Sequence, residues 1–143
     1  MSLHALNENL DRLFLKFWPI GLWGMRILLA VLFFVHGINK FNGMFNGNTF
    51  DHTIQAFEGM GMSPGWFWGG LAGWGELLGG VLMLVNPLFR FGAFLIFVCM
   101  AVAVFGVHWN SGLLAANNGF EYPLTLMMMA FFLMINGSSV RKL

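Results

Sequence analysis

Long apolar blocks dominate the pattern of this chain, and polar residues gather mainly between them. A membrane-spanning helix needs about 20 mostly apolar residues. Four segments have that character, each bounded by polar or turn residues. They cover residues 20–40 (IGLWGMRILLAVLFFVHGINK), 65–86 (GWFWGGLAGWGELLGGVLMLVN), 88–108 (LFRFGAFLIFVCMAVAVFGVH) and 121–137 (EYPLTLMMMAFFLMING). The turn at Asn86-Pro87 is so tight that the second and third spans must be antiparallel neighbours. The fourth is the shortest, with Pro123 suited to its first turn.

Two other stretches follow a different rule. In residues 1–18, Leu3, Leu6, Leu10, Leu13, Phe14 and Phe17 recur at helical spacing, while Asn7, Glu8, Asp11, Arg12 and Lys16 take the opposite face. That pattern predicts an amphipathic helix lying in the membrane interface, ahead of a bundle domain over 19–143. It lacks the basic start, apolar core and small-residue cleavage site of a signal peptide. Within the Gly- and Asn-rich loop 41–64, TFDHTIQAFEGMG predicts a short amphipathic helix with Phe50, Ile54 and Phe57 on one face. The expected fold is therefore all-α: an integral membrane four-helix bundle with an N-terminal amphipathic interfacial helix.

Composition points the same way. Of 143 residues, 58% are hydrophobic and only 9% charged, against about a quarter charged in a soluble domain. Charge so sparse cannot coat a water-soluble surface, which makes the lipid bilayer the expected solvent. A net charge of +1 with no basic cluster excludes nucleic acid as a partner. The single cysteine, Cys99, excludes an internal disulfide and dithiol chemistry within the chain; inside AFLIFVCMAVAVF it reads as a packing residue. Helix-spaced small residues in the second span (Gly69/Gly73 and Gly75/Gly79) suit close helix packing within the bundle, with a homo-oligomer interface as the alternative. The consecutive Met127, Met128 and Met129 point around a helix and cannot converge on one ion.

Orientation follows from the basic residues. Arg12, Lys16, Arg90, Arg141 and Lys142 fall on the side of the termini and the Asn86-Pro87 turn, and only Lys40 on the other. The positive-inside rule then puts both termini in the cytoplasm.

Ionisable residues inside a bilayer are costly and mark candidate sites. Here they are Arg26, His36, Lys40, Glu76, His108 and Glu121. His36 and Lys40 are i,i+4 neighbours, and Arg26 shares their broad face with Phe33 between. The helical rise puts Arg26 roughly 20 Å below Lys40, and Glu76 about 15 Å below Trp66, at a similar depth. The expectation is an outward-opening polar cavity lined by His36, Lys40, His108 and Glu121, with an Arg26–Glu76 pair at its floor. The same residues could instead only staple the bundle together.

Several motifs in order resemble the DoxX family of small bacterial and archaeal membrane proteins: R-I-L-L-A-V-L-F-F-V-H-G-I-N-K-F, G-M-G-M-S-P, G-W-G-E-L-L-G-G-V-L-M-L, N-P-L-F-R and G-F-E-Y-P-L, spread over residues 21–137. The tail, N-G-S-S-V-R-K-L, departs from the Gly-rich turn and Ser-Leu-Asp stretch of other members. The resemblance implies a four-helix bundle in a bacterial or archaeal cytoplasmic membrane. It also implies a place in redox systems, since some members are subunits of thiosulfate:quinone oxidoreductase and others associate with detoxification of oxidants. Three functions follow as expectations. A quinone-linked subunit would use His36, Lys40, His108 and Glu121 for proton transfer or ligand contact, with Arg26, Phe33 and Glu76 behind them and a protein partner supplying electrons. A haem- or metal-binding protein would use His36 and His108. A membrane scaffold or assembly subunit would need none of these side chains.

Overall fold

The computed structural model describes residues 3–42 and 49–136. Among them every regular element is helical. In chain order these are α1 (Leu3–Leu15), α2 (Trp18–Asn42), α3 (Phe50–Gly59), α4 (Gly65–Leu84), α5 (Phe89–Val102) and α6 (Glu121–Asn136). Residues Ala103–His108 continue α5 as a π-helical turn. The stretches Trp18–Asn42, Gly65–Leu84 and Asn86–Ser111 are each long and apolar enough to cross a membrane. At 16 residues, α6 rises only roughly 24 Å, short of the ~30 Å hydrocarbon core.

The bundle is folded as an up-and-down array. α2 packs on α4, α4 on α5 and α5 on α6, with Trp18 meeting Phe132 edge-on at 5.7 Å to bring α2 back to α6. Leu29, Phe33, Met83, Phe89, Ile96, Val104, Ala130 and Leu133 fill the interior. The outside is no less apolar: Ile27, Val31, Trp74, Leu78, Phe94, Val102, Phe105 and Ile135 are all exposed. Apolar residues on both faces of each helix are what a lipid solvent permits and water does not. The chain is thus a membrane protein of the expected all-α class. Of the three consecutive methionines, Met127 is buried and Met128 exposed, so they do point around the helix.

In lipid, helices associate through close packing rather than through hydrophobic burial, and glycines of α2 and α4 provide the approach. A Cβ at Gly37 would fall 2.6 Å from the Leu77 backbone nitrogen, one at Gly73 2.8 Å from the Phe41 ring, and one at Gly80 2.7 Å from the Phe34 nitrogen. In each of these contacts the two residue numbers add to 114, which defines the antiparallel register of α2 against α4. Gly69 and Gly75 meet Thr53 and Cys99 instead. The small residues of α4 are therefore spent on neighbours within the chain.

The loop helix forms as the periodicity predicts. α3 lies across the first turns of α4, with Gly65 against the Ile54 carbonyl and Gly69 against Thr53. Glu58 accepts a hydrogen bond from the Gly65 amide at 3.3 Å, a carboxylate at a helix N-terminus. α1 carries exposed side chains from Asn7 onward, including Leu10, Leu13 and Phe14, so the bundle leaves that part of its apolar face uncovered.

The register makes a stability prediction. Gly80→Val places a side chain against backbone on α2 and should cost about 1–3 kcal/mol by overpacking. Gly24→Ala, with nothing within 4 Å of the new Cβ, should be neutral or stabilising. Thermal unfolding in one detergent, read by circular dichroism, compares them; equal melting temperatures would refute this register.

Candidate functional site

A cavity of about 610 Å³ lies at the end of the bundle that carries α3 and the loop before α6. Its polar side chains are His36 and Lys40 from α2, Glu76 from α4, Cys99 from α5, His108 from the π turn, and Asn118 and Tyr122 around the start of α6. Leu32, Phe33, Met100 and Leu126 form its apolar interior, and Met60, Met62 and Gly119 belong to its loop end. The lining is mostly apolar with a few converging polar groups, the usual character of a small-molecule site.

The strongest interaction in the cavity is between Lys40 and Glu76, whose Nζ and Oε2 are 2.5 Å apart. The Glu76 side chain is 7% exposed and that of Lys40 24%. By the register, Glu76 stands level with Ile38, and a helical side chain leans toward the N-terminus of its own helix. Lys40 therefore reaches back about half a turn, roughly 3 Å, to the level of Glu76. On the outer side, the Thr53 hydroxyl donates to the Lys40 carbonyl at 2.9 Å, which ties α3 to the end of α2. His36, one turn further in, tilts its ring against Phe33 at 6.5 Å.

The expected Arg26–Glu76 pair does not form. Equal depth for Glu76 and Arg26 requires Trp66 to stand level with Lys40, but the register puts Gly73 opposite Phe41, so α4 extends about two turns further out. α3 covers that extension. Arg26 consequently falls level with Leu88, at the other end of the bundle. It is 3% exposed. Its Nε donates to the Met83 carbonyl and its Nη1 to Asn86 Oδ1 at 2.9 Å. The Trp23 and Phe89 rings flank the guanidinium at 4.4 and 4.3 Å. A cation here satisfies the C-terminal end of α4, where carbonyls lack helical partners. Arg26 is a helix-end clamp and no part of the cavity floor.

Glu121 also departs from its expected place. It is not among the lining residues, and its carboxylate accepts a hydrogen bond from the Ala115 amide at 2.7 Å. The reason is local: residues 112–120 fold back on the start of α6, with Glu121 N donating to Leu113 O at 2.9 Å and Phe120 N to Gly112 O at 3.0 Å. That leaves the Ala115 amide within reach of the acidic side chain. His108 does line the cavity, and its Nδ1 lies 2.8 Å from the Asn118 carbonyl oxygen. Phe33 forms part of the cavity wall as well. Among the described residues, no three His, Cys, Asp or Glu side chains come close enough to hold a metal ion together.

Sequence reasoning missed Tyr122, Met60, Met62 and Cys99 as lining residues. Tyr122 had a usable signal, because a lone phenol beside a first-turn Pro123 must place its hydroxyl somewhere polar. The methionines had none, since a thioether facing a cavity and one facing lipid read alike.

The latch role of Glu121 is separable from chemistry in the cavity. Glu121→Ala should cost about 1 kcal/mol and speed amide hydrogen exchange over residues 113–119. Exchange there that matches the wild type would refute the latch.

Residues 21–109 match the DoxX family model. A Bacillus subtilis (strain 168) protein named "Putative oxidoreductase CatD" is 31% identical over 111 residues, which cover 78% of this chain and 76% of that one. An uncharacterized protein of Haemophilus influenzae (strain Rd) is 28% identical over 120 residues, 83% of this chain and 78% of its own length. No solved structure gives a significant match. A family match over more than half the chain, on the helices that build the cavity, identifies this membrane protein as a member of the DoxX family.

Proposed function

We propose that this protein is a subunit of a quinone-linked redox or oxidant-detoxification system in a bacterial or archaeal cytoplasmic membrane, with both termini inside and the cavity facing outward. The carrying observation is the cavity itself: about 610 Å³ of mostly apolar space holding Lys40, Glu76, His36 and His108. A quinone-type head needs a hydrogen-bond partner at each oxygen, and its tail needs an apolar route. The residues present fit both needs. Lys40 has three N–H donors and spends one on Glu76, leaving two for a ligand oxygen. His36 and His108 offer acid–base groups on the same cavity. The oxidoreductase name of the Bacillus relative supports the class of chemistry.

The chain has one cysteine, so no dithiol couple forms within it, and electrons come from a protein partner. Orientation rests on charge. Lys40, the single basic residue expected on the outer side, is committed to Glu76, which sharpens the contrast with the other side, to which the sequence assigns Arg12, Lys16 and Arg90. The uncovered apolar side of α1 suits an interfacial position in the inner leaflet.

Purified protein in mild detergent should bind a short-chain quinone and quench the fluorescence of Trp68, which lines the cavity. His36→Ala and Lys40→Met should each weaken binding about tenfold, near 1.4 kcal/mol. A protein that binds neither a quinone nor its hydroquinone, or variants that bind as the wild type does, would overturn this function.

A further inference from the structure

His108 makes a contact that restricts what the cavity can bind. A backbone carbonyl oxygen only accepts hydrogen bonds, so the 2.8 Å contact between His108 Nδ1 and Asn118 O places a proton on Nδ1. The neutral imidazole then presents Nε2 as a bare acceptor. No protein donor meets Nε2 among the described residues, and the half-buried ring is part of the cavity wall.

The arrangement on both sides of that bond is built rather than incidental. Asn118 sits in the left-handed region at φ 62°, a conformation Asn tolerates better than most residues. Its amide donates to Ala115 O at 2.9 Å, and the next amide, Gly119, donates to Leu114 O at 2.9 Å. Glu121 fastens the same turn through Ala115. The loop therefore holds the Asn118 carbonyl in place before any ligand arrives. On the other side, Ala103–His108 form a π-helical turn, a feature that often re-aims side chains at functional sites. An oriented carbonyl that fixes a histidine tautomer is the same device that positions histidines in other sites.

Across the cavity, the Lys40 ammonium stands paired with the Glu76 carboxylate. Lys40 offers only donors. A ligand seated between Lys40 and His108 thus needs an acceptor oxygen at one end and a hydroxyl donor at the other. A quinone has acceptors at both ends and leaves Nε2 unmatched. A hydroquinone or alkoxyphenol satisfies both.

We propose that the cavity selects the hydroxylated form of an aromatic ligand, a quinol or phenol, with His108 Nε2 accepting its hydroxyl hydrogen bond and Lys40 donating to an oxygen at the far end. This rests on the ligand-binding reading above and adds the state of the ligand it prefers. Such a preference suits a protein that receives quinol, or holds it before release, more than one that captures quinone.

Three probes separate the possibilities under anaerobic conditions: trimethylhydroquinone, its dimethyl ether and trimethylbenzoquinone, each titrated calorimetrically into the purified protein. The hydroquinone should bind about tenfold or more tightly than either of the others, the size of one well-made buried hydrogen bond. His108→Phe should abolish that preference, and His108→Gln, whose amide oxygen can accept, should keep part of it. Nitrogen-15 spectra of histidine-labelled wild-type protein give a second readout that needs no variant, with Nδ1 protonated and Nε2 bare. Equal or tighter binding of the quinone, or a proton found on Nε2 alone, overturns the selectivity and leaves the cavity as a ligand site. If none of the three binds, the ligand-binding reading fails and the selectivity with it.

Discussion

Two helix backbones touch where α2 crosses α4, and that contact decides which polar side chains meet inside the bundle. Gly37, Gly73 and Gly80 have no side chains to hold the helices apart, and the backbones settle into one register. A shift by one turn would move Lys40 off Glu76 and draw Arg26 away from the end of α4. The bundle thus solves a packing problem and an electrostatic problem with the same three contacts. Elsewhere α4 does the same against other partners, with Gly69 under Thr53 and Gly75 under Cys99.

Placing ions inside a bundle is costly unless each one has a partner. This chain meets the cost in two ways. At one end Arg26 is flanked by aromatic rings and bonded to a carbonyl and an amide oxygen. At the other, Lys40 and Glu76 neutralise each other within a cavity large enough for a small ligand. The first arrangement is closed and structural. The second leaves two lysine donors and the two histidines facing open space, and it is there that α3 and the loop 112–120 come together. The loop bonds from Glu121 and His108 hold that end of the cavity, so the residues nearest the ligand stand on a framework already formed.

Much of this was legible in the chain. Length and apolarity alone identify the spans, and i,i+4 spacing alone puts His36 and Lys40 on one face. Tyr122 and the latch of Glu121 depended on how a loop folds back, which periodicity does not describe. The Arg26–Glu76 expectation failed for a more instructive reason. Depth along each helix was correct, but depth in one helix means nothing to its neighbour until their register is known. Glycine spacing showed that α4 packs closely without showing against which residues. The loop helix α3 was visible as an amphipathic stretch, yet its place was not: it covers the turns of α4 that the glycine register carries outward, the same register that sets Glu76 against Lys40 and not Arg26.

The Lys40–Glu76 pair holds the site together, and a double-mutant cycle in folding stability measures it most directly. Lys40→Met should destabilise by about 3–5 kcal/mol, because it leaves the buried Glu76 carboxylate uncompensated, and Glu76→Gln by less, because Lys40 is partly exposed. The double variant should lose less than the sum, with a coupling of about 0.5–3 kcal/mol, while Arg26→Met combined with Glu76→Gln should be additive. Additive losses for Lys40 and Glu76, or coupling of Glu76 to Arg26 instead, would contradict the register and the site built on it.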